Sequence, residues 1–252
     1  MENILSLILV VAFGAIFGSY ATLFAYRLPR NESCFGRYFG KKSRCPNCNS
    51  TIITRDLIPL LNWVITLGKC RVCKVKIPRI HFFVEFLTTT LFVFCYLNFG
   101  FTEKFIINSL IAVSLVILMA IDITHKKFTD PALIFLLFFV TINRIIEENT
   151  MINIVHSLLV GIIFVAIFFK LFIKKFVELF ANENQYFDYI KLILIAAVAL
   201  NYQNFIFYFI LILTILILLL SFKIFSIKKN ISLGFVFIIP LIWMLIIQPL
   251  NF

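Results

Sequence analysis

Four cysteines and a small set of carboxylates are the residues here whose type and spacing could do chemistry. Cys45-Pro46-Asn47-Cys48 is followed, after 21 residues, by Cys70-Arg71-Val72-Cys73. Two residues between cysteines let both thiolates of a turn face one ion, and four thiolates complete a tetrahedral structural site, the arrangement of a zinc ribbon. Arg44, Lys69 and Arg71 stand beside these cysteines and are expected to lower their thiol pKa. A pair of disulfides is the alternative, disfavoured if the segment faces a reducing compartment. A site closed by four protein ligands has no open position, so the metal would organise the loop and not catalyse. Cys34 and Cys95 fall outside the pattern.

The carboxylates Glu85, Asp122, Asp130, Glu178, Glu183 and Asp188 stand near the ends of apolar runs. Acids next to lipid are costly, which makes each a functional candidate. Asp122 closes the run 106–121, and Asp188 opens the run that begins at Tyr189. Two carboxylates brought together in a low-dielectric site share a proton; one can then activate water while the other protonates a scissile carbonyl. That is aspartyl protease chemistry. Spacing alone favours the plainer alternative, in which each acid is an interfacial cap or the partner of a nearby lysine. His81, His125 and His156 are given no role.

The elements that must position these groups are membrane helices. The chain has 252 residues, 62% of them hydrophobic and only 14% charged, with 32 Phe. Such a composition excludes a soluble globule, a disordered chain and a collagen-like repeat. The expected fold is an all-α polytopic membrane protein of about eight transmembrane helices with a small zinc-ribbon-like cytoplasmic loop domain. Apolar runs fall near 4–26, 82–101, 105–121, 132–146, 152–176, 189–202, 204–222 and 231–250. The run 189–202 is short and is interrupted at Asn201. The first run follows Glu2, ends at Arg27 and reads as a retained anchor. The expected organisation is a first transmembrane helix (1–26), a basic four-cysteine loop (27–80) and a transmembrane region (81–252) that carries the acids.

Charge orients this arrangement. Residues 27–80 hold 12 of the 23 Lys and Arg against Glu32 and Asp56, which gives that segment +10 of a net +11. With the first helix ending inside, Lys126, Lys127, Lys170, Lys174, Lys175, Lys191, Lys223, Lys228 and Lys229 also fall at cytoplasmic ends, leaving Lys104 and Arg144 outside. The positive-inside bias then puts both termini outside and the four-cysteine loop in the cytoplasm. The basic loop is expected to meet anionic lipid and not nucleic acid, for which no motif is present. Between its cysteine pairs, residues 56–63 are apolar enough to lie on the membrane or pack under the loop. A transporter would need ionisable groups deep in the bundle; these lie at helix ends.

Several stretches together resemble the bacterial type IV prepilin peptidases, the prepilin leader peptidase/N-methyltransferase family. Gly18-Ser19-Tyr20 and Tyr26-Arg27-Leu28-Pro29 are similar to its opening motif. Ser43-Arg44-Cys45-Pro46-Asn47-Cys48, Asp56-Leu57-Ile58-Pro59, Gly68-Lys69-Cys70-Arg71-Val72-Cys73, Ile77 and Glu85 follow its cytoplasmic domain in order. The resemblance implies a membrane-embedded aspartyl endopeptidase that removes the basic leader of prepilin or pseudopilin precursors at the cytoplasmic face. In bifunctional members it also implies N-methylation with S-adenosylmethionine. Asp122 to Asp130 resembles the family's first catalytic motif, with Thr129 where proline is usual, and makes Asp122 the first catalytic residue. Gln185-Tyr186-Phe187-Asp188 resembles the second without its two glycines, and makes Asp188 the other. Thr22 stands where the family has asparagine. The alternative is a diverged, non-catalytic member that binds pilin-like precursors or assembly components.

Overall fold

The computed structural model describes residues 2–34, 43–147, 151–168, 183–221 and 233–247. The expectations placed on Arg37, Lys41, Lys42, Lys170, Lys174, Lys175, Glu178, Lys223, Lys228 and Lys229 lie outside these residues, as do the far ends of several apolar runs. The described residues are mostly helical and contain no strands.

Among the described residues, eight helices overlap the expected apolar runs. They are α1 (Glu2–Arg27), α3 (Arg79–Phe99), α4 (Glu103–His125), α5 (Asp130–Ile146), α6 (Met151–Phe168), α7 (Glu183–Ala199), α8 (Tyr202–Ser221) and α9 (Gly234–Ile242), and a π turn, Trp243–Ile247, continues α9. A short helix, α2 (Leu61–Ile65), lies in the cysteine loop. Among the described residues three stretches are long and apolar enough to cross a membrane: Ile4–Arg30, Arg79–Phe99 and Glu103–His125. The break expected at Asn201 separates α7 from α8, and α7 starts earlier than its apolar run, at Glu183.

α4 is the centre. It is buried along most of its length and touches α1, α3, α5 and α9. Its apolar residues continue all round the helix, as expected of a helix enclosed by others. α1 instead has one packed side, formed by Val10, Gly14, Gly18, Ala21 and Ala25, at helical spacing. That side lies against α3 so closely that a Cβ on Gly14 would stand 2.9 Å from the Thr89 Cα, and one on Gly18 2.8 Å from the Glu85 Cα. Small residues four apart let two backbones approach where lipid supplies no hydrophobic drive. The remaining side of α1 exposes Ile4, Ile8, Phe13 and Ile16.

Away from the acids, a polar cluster closes the other end of α5. Arg144 is 1% exposed, and its Nη1 donates to Asn201 Oδ1 at 2.5 Å and to Glu147 Oε2 at 3.3 Å. Asn201 therefore does more than interrupt the α7–α8 run: it ties that junction to α5.

Candidate functional site

The cysteine loop is two copies of one turn. Cys45 N–H donates to Ser50 O (3.0 Å) and Asn49 N–H to Cys45 O (2.9 Å); Cys70 N–H donates to Val75 O (2.9 Å) and Lys74 N–H to Cys70 O (3.0 Å). Asn49 and Lys74, each four residues after the first cysteine of its pair, both adopt positive φ, 56° and 58°. Single antiparallel bridges, Arg44 with Thr51 and Lys69 with Lys76, close the two turns.

The turns face each other. The sulfurs of Cys45, Cys48, Cys70 and Cys73 all lie within 4.8 Å of one another, and Cys45 Sγ is 3.7 Å from Cys73 Sγ. A tetrahedral zinc at about 2.3 Å from each sulfur requires S···S edges of about 3.8 Å, so the four residues fit that ion. All four are free thiols. Their ionisation is set less by neighbouring cations than the sequence implied. Cys48 is pulled down to about 6 by the Ser50 hydroxyl and main-chain N–H. The N–H groups of Cys73 and Val72 lower Cys70. Cys45 is pulled down by the N–H groups of Cys48 and Asn47, yet burial and the adjacent sulfurs of Cys48 and Cys70 leave it raised. Arg71 is instead turned to Asp56, 2.7 Å away. Cys95 lies in the core, apart from the cluster.

The loop is fastened to the helices at two points. Leu60 N–H donates to Glu85 Oε2 at 2.8 Å, and the Trp63 ring sits 5.0 Å from that of Phe82. Glu85 thus joins the cysteine loop to the tight α1–α3 pair.

Asp122 occupies the last turn of α4, which ends when Lys126 takes φ 53° and donates its N–H to Asp122 O. The Asp122 carboxylate is 1% exposed; Oδ2 accepts the Gly234 N–H at 2.6 Å and Oδ1 the Tyr189 hydroxyl at 3.3 Å. The same hydroxyl accepts the Leu233 N–H at 3.2 Å. Asp188 precedes Tyr189 on α7; its Oδ2 accepts the Phe128 N–H at 2.8 Å, and Lys191 Nζ lies 3.8 Å from Oδ1. The rings of Phe128 and Tyr189 meet edge to face, 5.6 Å apart, with Phe237 stacked on Tyr189 at 5.0 Å. Both sequence-selected acids are therefore gathered around one aromatic pair at one end of the bundle. Asp130 stands beside them, paired with Lys191 at 2.6 Å.

The departures from the motif have local explanations. Thr129 precedes α5, and Pro131 supplies the proline of its first turn instead. Gln185 and Phe187 belong to α7, so Asp188 rises from regular helix, where glycines are not needed. The Thr22 hydroxyl bonds back to Gly18 O within α1. Tyr189, Leu233 and Gly234 escaped the sequence reading, because only packing across distant helices brings them to Asp122. The glycine that matters beside an acid is Gly234: a Cβ there would fall 2.6 Å from Asp122 Cγ.

Residues 12–99 match the bacterial peptidase A24 N-terminal domain. The chain is 34% identical over 113 residues to a prepilin leader peptidase/N-methyltransferase of Myxococcus xanthus, covering 44% of this chain and 32% of the relative. Through this N-terminal region the chain is similar to the prepilin peptidase family. A Bacillus subtilis prepilin leader peptidase/N-methyltransferase is 30% identical over 136 residues (54% of this chain, 53% of the relative). One from Vibrio cholerae is 37% identical over 83 residues (31% and 33%). The chain thus spans from about a third to about half of the length of these curated relatives. No solved structure matches it. The matched domain of the prepilin peptidase family includes the four cysteines and Glu85 but stops before Asp122 and Asp188.

Proposed function

We propose that the protein is a membrane-embedded aspartyl endopeptidase that removes the leader from prepilin-like precursors at the cytoplasmic face. The observation that carries this reading is the gathering of Asp122 and Asp188 around Phe128 and Tyr189. The names of the relatives support the substrate class. In this mechanism one carboxylate takes a proton from water as the oxygen attacks the scissile carbonyl, and the other, protonated, donates to the carbonyl oxygen. Collapse of the tetrahedral intermediate then breaks the C–N bond, and the amine leaves with the proton from the first acid. Tyr189 and Gly234 hold Asp122 in place through this cycle.

The chain crosses the membrane about eight times, with residues 27–80 as the cytoplasmic four-cysteine domain. Cys45, Cys48, Cys70 and Cys73 hold one structural zinc, which fixes the loop against α3 through Leu60 and Glu85. Methylation of the new N-terminus would need S-adenosylmethionine, a sulfonium cation. The relatives' names, which include N-methyltransferase, support this second activity; the cleft beside the cysteine loop, lined by Lys69, Arg71 and Lys74 with no acidic or aromatic side chain, is not a place for the sulfonium.

The partners of the acids favour a second reading. Gly234 N–H on Asp122 and Lys191 beside Asp188 are what structural caps would have, as in a diverged member that binds precursors without cutting them. Asp122→Asn and Asp188→Asn, assayed for leader removal with protein level and zinc content measured in parallel, separate the two. Loss of cleavage in both variants, with folding retained, supports the protease; full cleavage by either refutes the pair.

A further inference from the structure

The cysteine loop has an outer surface that the proteolytic reading does not use. α2 turns Trp63 inward onto Phe82, and this leaves Leu61, Val64 and Ile65, and Leu67 just beyond, between 56% and 78% exposed. Gly68 lies under the Trp63 ring, with no room for a Cβ (2.8 Å to Cζ2), so the turn after α2 is pinned with Leu67 outward. Four large aliphatic side chains crowded onto so short a segment form a patch that a water-facing loop does not maintain.

Two features name what covers it. Ile65 and Leu67 share a cleft of about 310 Å³ with Lys69, Arg71 and Lys74, so aliphatic and basic groups line one depression. The segment that carries the patch is also seated on the start of a helix with exposed apolar surface. Phe82, on which Trp63 rests, touches the rings of Phe83 and Phe86, which are exposed on the first turns of a helix long and apolar enough to cross a membrane. Aliphatic groups beside lysine and arginine, level with the end of a spanning helix, match the boundary between anionic headgroups and acyl chains.

We infer that α2 and the turn after it are a monolayer anchor: Leu61, Val64, Ile65 and Leu67 enter the acyl region while Lys69 and Lys74 bind anionic lipid headgroups. This holds the metal-organised loop down on the bilayer beside α3. The anchor does not depend on whether Asp122 and Asp188 cut peptide bonds.

The test uses the full chain in lipid nanodiscs, with an environment-sensitive fluorescent amino acid at Ile65 or, as control, at the exposed Asn47 of the first cysteine turn. Discs of phosphatidylcholine alone, or with phosphatidylglycerol, carry lipid with a nitroxide high on the acyl chain. Zinc content and thermal midpoint matching the wild type confirm that each labelled chain is folded. Expected is several-fold stronger quenching at Ile65 than at Asn47, enhanced by phosphatidylglycerol, with that enhancement lost in Lys69→Glu/Lys74→Glu. Quenching at Ile65 no stronger than at Asn47 in anionic discs overturns the inference, whether or not an added precursor shields the site.

Discussion

Replacing Gly234 with alanine perturbs Asp122 without altering any titratable group. The new Cβ would stand 2.6 Å from Asp122 Cγ and 3.1 Å from its Cβ. Comfortable carbon contacts begin near about 3.5 Å, so the carboxylate or the start of α9 must yield by about 1 Å. The Gly234 N–H bond to Oδ2, now 2.6 Å, does not survive that shift. Losing a hydrogen bond to a charged group costs about 1.5–3 kcal/mol, and overpacking adds about 1–3 kcal/mol. Gly161→Ala is the matched control: its Cβ would stand 2.5 Å from the Ala197 Cβ, a comparable overlap where α6 meets α7, with no acid involved. Both variants should melt below the wild type. Only Gly234→Ala should also lose about 100-fold in cleavage per folded molecule, the usual penalty for displacing a reacting group by about 1 Å. The assay is the time course of leader removal in proteoliposomes, normalised to folded protein by zinc content. Wild-type cleavage per folded molecule by Gly234→Ala, alongside a lowered melting point, would refute the claim that this contact aims a catalytic acid.

The remaining predictions concern the scaffold. Freshly purified reduced protein should carry about one zinc per chain by elemental analysis; Cys48→Ser should strip it and open residues 43–77 to protease, and an equally resistant, metal-free loop would contradict the assignment. Glu85→Ala removes the acceptor for Leu60 N–H and should lower stability by about 1–3 kcal/mol, while Glu85→Gln restores most of it; equal melting of the two variants would show that the contact is idle. Gly18→Val forces α1 off the Glu85 backbone and should cost at least about 1–3 kcal/mol in detergent; an unchanged midpoint would deny the close approach.

What could be read from the sequence tracks how locally each feature is specified. The cysteine cluster was legible because a tetrahedral ion fixes spacing within a turn, and both turns carry it on the chain. The α7–α8 break was legible at Asn201 because polar residues interrupt an apolar run. Asp122 and Asp188 could be selected as acids at helix ends, but their surroundings could not be foreseen. Tyr189 reads as one more aromatic in a chain rich in them, and Gly234 as one more helix-start glycine. Their roles come from how α4, α7 and α9 meet. The basic residues beside the cysteines misled, since Arg71 pairs with Asp56 and the lowered thiols answer to the Ser50 hydroxyl and main-chain N–H groups.

The hydrogen bond from Gly234 to Asp122 joins residues 112 positions apart. A ribosome therefore makes the acid long before it makes the amide that grips it. In the interval α4 can insert and pack against α1 and α3 while its terminal carboxylate waits, and the arrival of α9 completes the constellation. On the proteolytic reading, a site completed by so late a segment stays latent through most of its own synthesis, which would spare neighbouring nascent chains in the same membrane.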